Sequence, residues 1–140
     1  MKRSLLFLVA FAATVLGTKA QDIVLIVNPG VTETSVSGDD VKNILLGNKA
    51  RWESAGNIKV VILTEGAVHE KAIQEFTQRT TDQFDKFWKK QVFTGKGIMP
   101  AQVKTEAEVV EYVSKNTGAF GYVAKESATD KVKVLSIKSK

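Results

Sequence analysis

Asp22-Ile23-Val24-Leu25-Ile26-Val27 is an unbroken β-branched run closed by the breaker Asn28-Pro29-Gly30. A continuous apolar stretch of that length, with no polar alternation, is the signature of a strand covered on both faces, as in a parallel sheet. Ile58 to Leu63 repeats the pattern, and Ala119 to Val123 and Val132 to Ile137 supply two more strands. The last two are separated by the charged turn Lys125 to Asp130.

Helical segments fall between these runs. Ser37-Gly38-Asp39-Asp40 opens a first helix with Ser37 as N-cap, Val41, Ile44 and Leu45 inward, and Gly47 as the stop. Residues 67–79 form a second, burying Val68, Ala72, Ile73 and Phe76, with Lys71, Glu75 and Arg79 on the solvated side. Thr80 or Thr81 caps a third, carrying Phe84, Phe87, Trp88 and Val92 on one face and stopped by Gly95-Lys96-Gly97. A fourth runs from Thr105 to Lys115 with Val109, Val110 and Val113 inward. Strands alternating with helices define an α/β domain, with a mixed, mostly parallel sheet of about four to five strands and about four flanking helices.

Upstream, Lys2 and Arg3 precede the apolar run Ser4 to Leu16, and Thr18-Lys19-Ala20 places small residues where a signal peptidase cuts. Residues 1–20 therefore read as a signal peptide cleaved before Gln21, and residues 21–140 as one exported domain, periplasmic in location. The apolar run is short of the roughly 20 residues a membrane span needs, so no membrane insertion is expected after cleavage. The chain has 20 Lys+Arg against 15 Asp+Glu, or +5. Lys2, Arg3 and Lys19 leave with the signal, so 17 face 15 and the mature charge falls to +2. That balance gives no nucleic-acid footprint. Cysteine is absent, which removes disulfides, thiol catalysis and cysteine-ligated metal sites.

Three segments carry a family likeness. Ile44-Leu45-Leu46-Gly47-Asn48-Lys49-Ala50-Arg51-Trp52 resembles the helix, Gly-Lys, Trp element of periplasmic phosphate-binding proteins of ABC transporters. Phe87 to Gly95, with Pro100, is similar to a second element of that group, and Thr117-Gly118-Ala119-Phe120-Gly121-Tyr122-Val123 to its Gly-Ala-Ile-Gly-Tyr strand. The resemblance covers about residues 23 to 137 and implies a single periplasmic-binding-protein-like lobe that binds phosphate or another small anion. It also implies a membrane transporter, porin or sensor as partner, and no cofactor. Members of the family hold phosphate at a Ser-Gly-Thr turn on a helix N-terminus. The corresponding stretch is Thr64-Glu65-Gly66-Ala67-Val68-His69-Glu70, where Ala67 and Val68 replace the hydroxyls. The helix start still favours an anion, whereas Glu65 and Glu70 compete with one.

The candidate ligand-binding residues are therefore Thr64, Gly66, Ala67, Val68 and His69 at this turn. Asn28, Gly30 and Thr32 join them, because they follow the first strand, where open α/β sheets commonly place ligands. Asn28-Pro29-Gly30 reads first as an ordinary turn, adopted for conformational reasons alone, and second as part of a ligand site. His69, the single histidine, reads first as an exposed bystander and second as an anion contact. Trp52 and Trp88 belong to apolar patterns and read as core. Asp39 and Asp40 read as helix-start residues. No catalytic residues and no metal ligands emerge: nucleophile-elbow, zincin and calcium-loop spacings are all missing. The expectation is a binding protein, with a non-binding interaction module as the rival.

Overall fold

The computed structural model describes residues 22–138; the expected signal peptide and its cut before Gln21 lie outside them. Six strands form one sheet: β1 (Ile23–Val27), β2 (Ser35–Ser37), β3 (Lys59–Leu63), β4 (Ala101–Val103), β5 (Ala119–Ala124) and β6 (Lys133–Lys138). Four helices accompany them: α1 (Gly38–Leu45), α2 (Ala67–Thr77), α3 (Thr81–Phe93) and α4 (Glu106–Lys115). The spatial order is β2-β6-β1-β5-β3-β4.

Local chemistry sets the helix starts. Ser37 Oγ accepts the Asp40 N–H at 3.0 Å, and Thr105 Oγ1 accepts the Glu108 N–H at 3.2 Å. Thr80 and Gln83 form a reciprocal capping box. Helix α2 stops at Thr77, short of the expected 79, because Gln78 turns left-handed at φ 57 and closes the helix onto the Gln74 carbonyl.

The sheet is mixed, with β2–β6, β3–β5 and β3–β4 parallel and β1 antiparallel to both β5 and β6. The apolar run of β1 is thus covered on both faces as its composition requires, but its neighbours run the opposite way from a parallel sheet. Burial selects an apolar sequence and says nothing about strand direction. Two strands beyond the expected set, β2 and β4, are three-residue edges, too short to carry a hydrophobic pattern.

Gly121 faces Val109 and Val113 of α4 on one side of the sheet. On the other, Phe120 meets Trp52 at 6.2 Å between ring centroids and Tyr122 meets His69. One continuous core results, centred on the fully buried Leu25, Ile26, Phe120 and Tyr122. Trp52 and Trp88 are both buried, their indole N–H groups donating to the Gly118 and Leu45 carbonyls. Val92, expected on the inner face of α3, is half exposed at 48%. It lies in the last turn, beyond the stretch that Phe84 and Trp88 anchor.

Candidate functional site

Register decides which loops can share a site. Phe120 of β5 pairs with Val27, the last residue of β1, and with Val60 near the start of β3. The turn after β1 and the turn after β3 therefore leave the sheet at opposite ends. Four residues of β3 separate them, about 13 Å of strand. Thr64, Gly66, Ala67, Val68 and His69 come together at the β3–α2 junction, whereas Asn28, Gly30 and Thr32 do not join them. The expected shared mouth is not formed, because β1 runs antiparallel to the strand that β3 follows.

The Asn28 turn is a structural latch. Asn28 Nδ2 donates to the Val113 and Ser114 carbonyls at 2.9 and 3.2 Å, closing the end of α4, and its Oδ1 accepts the Gly30 N–H at 2.9 Å. The Thr32 N–H is bound to Ser54 Oγ, and Lys133 Nζ donates to the Val31 carbonyl. Both ends of the Asn28 amide are thus committed to backbone.

At the β3–α2 junction the backbone is open. Gly66 sits at φ 100 as the N-cap and supplies no side-chain cap; only glycine adopts that conformation readily. The first intrahelical bond runs from the Glu70 N–H to the Gly66 carbonyl at 3.0 Å. The amides of Ala67, Val68 and His69 therefore precede the helical ladder. The start of α4 is different: Thr105 caps Glu108, Glu108 accepts the Lys104 N–H, and Glu106 accepts the Ala124 N–H.

Side chains at the turn divide by position. Thr64, Glu65 and Ala67 are exposed, and Val68 enters the core. His69 is only 3% exposed, which overturns its reading as an exposed bystander. Its Nδ1 lies 2.6 Å from the Tyr122 hydroxyl, and its ring stacks on Tyr122 and meets Phe84 edge-on. Burial lowers its pKa, and the Asp85 and Glu70 carboxylates act in the opposite sense. The ring faces into the protein, so what His69 offers a ligand is its backbone N–H.

A cavity of about 180 Å³ adjoins the junction, lined by Ile62, Leu63, Thr64, Asp85, Lys89, Met99 and Gln102. Lys89 and Gln102 are donors that the sequence did not single out, since both sit on elements remote in the chain. Lys89 lies one turn from Asp85 on α3, a spacing that reads as an ordinary solvated pair. A larger cavity of about 480 Å³ lies at the other end of the sheet. Among the described residues no cluster of three or more His, Asp or Glu could hold a metal ion, and no helix is long and apolar enough to cross a membrane.

No protein-family model matches the chain, and no curated protein does. Solved structures do. An ABC-type phosphate transport receptor from Vibrio cholerae superposes with a TM-score of 0.65 over 84% of this chain and 47% of its own, at 15% identity. A Clostridium perfringens chain described as a phosphate ABC transporter substrate-binding protein, with bound phosphate, gives 0.66 over 82% and 44%, at 18% identity. PstS from Borrelia burgdorferi gives 0.63 over 84% and 47%, at 16% identity. The fold is thus a single α/β lobe of the periplasmic-binding-protein type. The chain spans less than half the length of these structures.

Proposed function

We propose that this chain is an exported solute-binding lobe that holds phosphate or a similar small anion at the start of α2 and catalyses no reaction. The observation that carries the reading is the uncapped Gly66 turn, where three consecutive amides meet the positive end of the helix dipole. Its placement on a lobe similar to phosphate receptors adds support, as do the Thr64, Lys89 and Gln102 donors of the adjoining cavity. Export through the signal of residues 1–20 would deliver the lobe to the periplasm, where it meets a membrane transporter, porin or sensor.

A second reading rests on Glu65 and Glu70, which flank the same turn, and on Ala67, which brings no hydroxyl to it. Under that reading the lobe is an interaction module with a vestigial pocket.

Calorimetric titration of the mature protein with phosphate, sulfate and small carboxylates separates the two. A like-charge contact of this kind is worth about 1 kcal/mol in water and more in a partly desolvated site. The double substitution Glu65→Gln/Glu70→Gln should therefore tighten phosphate binding roughly tenfold or more, with affinity falling as salt rises. No anion bound by either protein at millimolar concentration would leave the interaction module standing.

A further inference from the structure

The larger cavity lies in a notch at the opposite end of the sheet from the α2 turn. It exists because β4 is too short: β3 begins at Lys59, but its pairing with β4 starts only at Val61 opposite Ala101. The loop Gly97 to Pro100 lines it, together with Ile44, Gly47 and Ala50. Trp88 of α3 and Tyr112 of α4 reach it from helices on the two faces of the sheet.

Its chemistry is one-sided. Three lysines line it, Lys49, Lys59 and Lys96, and no Asp or Glu does. Lys49 reaches Asp40 at 3.6 Å. Lys59 and Lys96 are exposed and have no carboxylate at ion-pair distance among the described residues. Asn57 and Tyr112 also line the notch. Between these groups the surface is apolar, supplied by Ile58, Val60, Trp88 and Met99, while Ile98 stands 92% exposed at the rim.

We propose that this notch is a second binding site, independent of the α2 turn, for a small amphipathic carboxylate. Ammonium groups only donate, so they call for an acceptor that carries negative charge. An inorganic anion would satisfy the lysines and leave the apolar walls wet. A neutral apolar molecule would do the reverse, and a cation would be repelled. A volume of about 480 Å³ falls in the range of organic-ligand pockets.

The test uses decanoate as probe, with decyltrimethylammonium as the cation of equal chain length. Calorimetry and tryptophan fluorescence follow binding to the purified protein. Decanoate should bind at millimolar concentration or below, and the cation at least roughly tenfold more weakly. Replacing two exposed charges, Lys59→Gln/Lys96→Gln, should weaken decanoate roughly tenfold and leave the melting temperature unchanged. Ile98→Glu, which adds a negative charge at the rim without touching the core, should weaken it as well. The Glu65→Gln/Glu70→Gln variant should leave decanoate binding as it was, whether or not the α2 turn binds anions. The proposal is overturned by an absence of decanoate binding, by equal binding of the cation, or by indifference to the lysine and Ile98 substitutions. Decanoate binding tightened by Glu65→Gln/Glu70→Gln would locate it at the α2 turn and overturn the proposal too.

Discussion

The Tyr122 hydroxyl lies 2.6 Å from Nδ1 of His69 and also accepts the Leu63 N–H at 3.2 Å. This ties the middle of β5 to the end of β3 and the first turn of α2, the three segments that frame the Gly66 turn. The phenol has one proton to give, and Leu63 fills one of its acceptor positions. The arrangement that satisfies the phenol, Nδ1 and the Leu63 amide together has the phenol donating to an unprotonated Nδ1, with the ring proton on Nε2. Burial raises the Tyr122 pKa far above its ordinary value, so this proton stays on the phenol throughout the physiological range.

Tyr122→Phe removes the hydroxyl but keeps the ring. It leaves a buried amide on Leu63 and a buried acceptor on His69 without partners, and should cost about 1–3 kcal/mol. Urea unfolding followed by circular dichroism measures it. An unchanged midpoint would mean that the three-way contact adds nothing to stability. Because the contact anchors α2, the same variant should also weaken any anion held at the Gly66 turn.

The same histidine gives a pH dependence of definite sign. Burial holds the folded-state pKa of His69 below the value of about 6.5 for a free imidazole. Above that pH both states are neutral at this site and its contribution is complete. As pH falls below it, the unfolded chain takes up a proton that the folded protein refuses, and stability drops by up to about 1.4 kcal/mol per pH unit. The drop ends at the folded-state pKa. His69→Gln should flatten this part of the curve, so unfolding free energies of both proteins between pH 7 and 5 are the check. Parallel curves would show that other groups set the acid limit.

The features legible in the sequence are those whose causes are local. Ser37 caps α1 and Thr80, one of two candidates, caps α3, each with a partner three residues away, and the apolar spacings placed Phe84 and Trp88 inward. Thr105, read as the first residue of its helix, is the cap of α4. Direction and long-range partnership were not legible. Nothing in residues 22–27 states that β1 meets β5 and β6 antiparallel, and that one fact separates Asn28 from the Gly66 turn. Asn28 serves the end of α4, 85 residues away, and His69 is buried by a tyrosine 53 residues downstream. Lys89 and Gln102 reach the β3–α2 end only through packing of α3 and β4 beside β3.

Export is tested by mass. The signal reading predicts that protein recovered from the periplasm begins at Gln21, and intact mass measurement shows this directly. A full-length chain held in the membrane fraction would refute it.

The last prediction concerns how Trp88 is seated. Its indole N–H donates at 3.1 Å to the carbonyl of Leu45, the last residue of α1 and two positions before Gly47. A Cβ built on Gly47 would fall 2.8 Å from Trp88 Cη2, and one on Gly97 would fall 3.1 Å from Cζ3. The ring is thus sandwiched between two glycines on separate loops, and rigid aromatic atoms give it no way to yield. Gly47 is also at φ 77, where a side chain costs about 1 kcal/mol or more before any collision. Gly47→Ala should therefore destabilise the protein by about 2 kcal/mol or more, since overpacking alone costs about 1–3 kcal/mol. Trp88→Ala should cost about 3–5 kcal/mol through lost burial and the void left behind. The two effects share one cause, so they should not add: in the double variant the alanine at position 47 meets empty space, and only its backbone term remains. Denaturant unfolding of the two single variants and the double variant tests this. Strict additivity would mean that the indole is not wedged against Gly47.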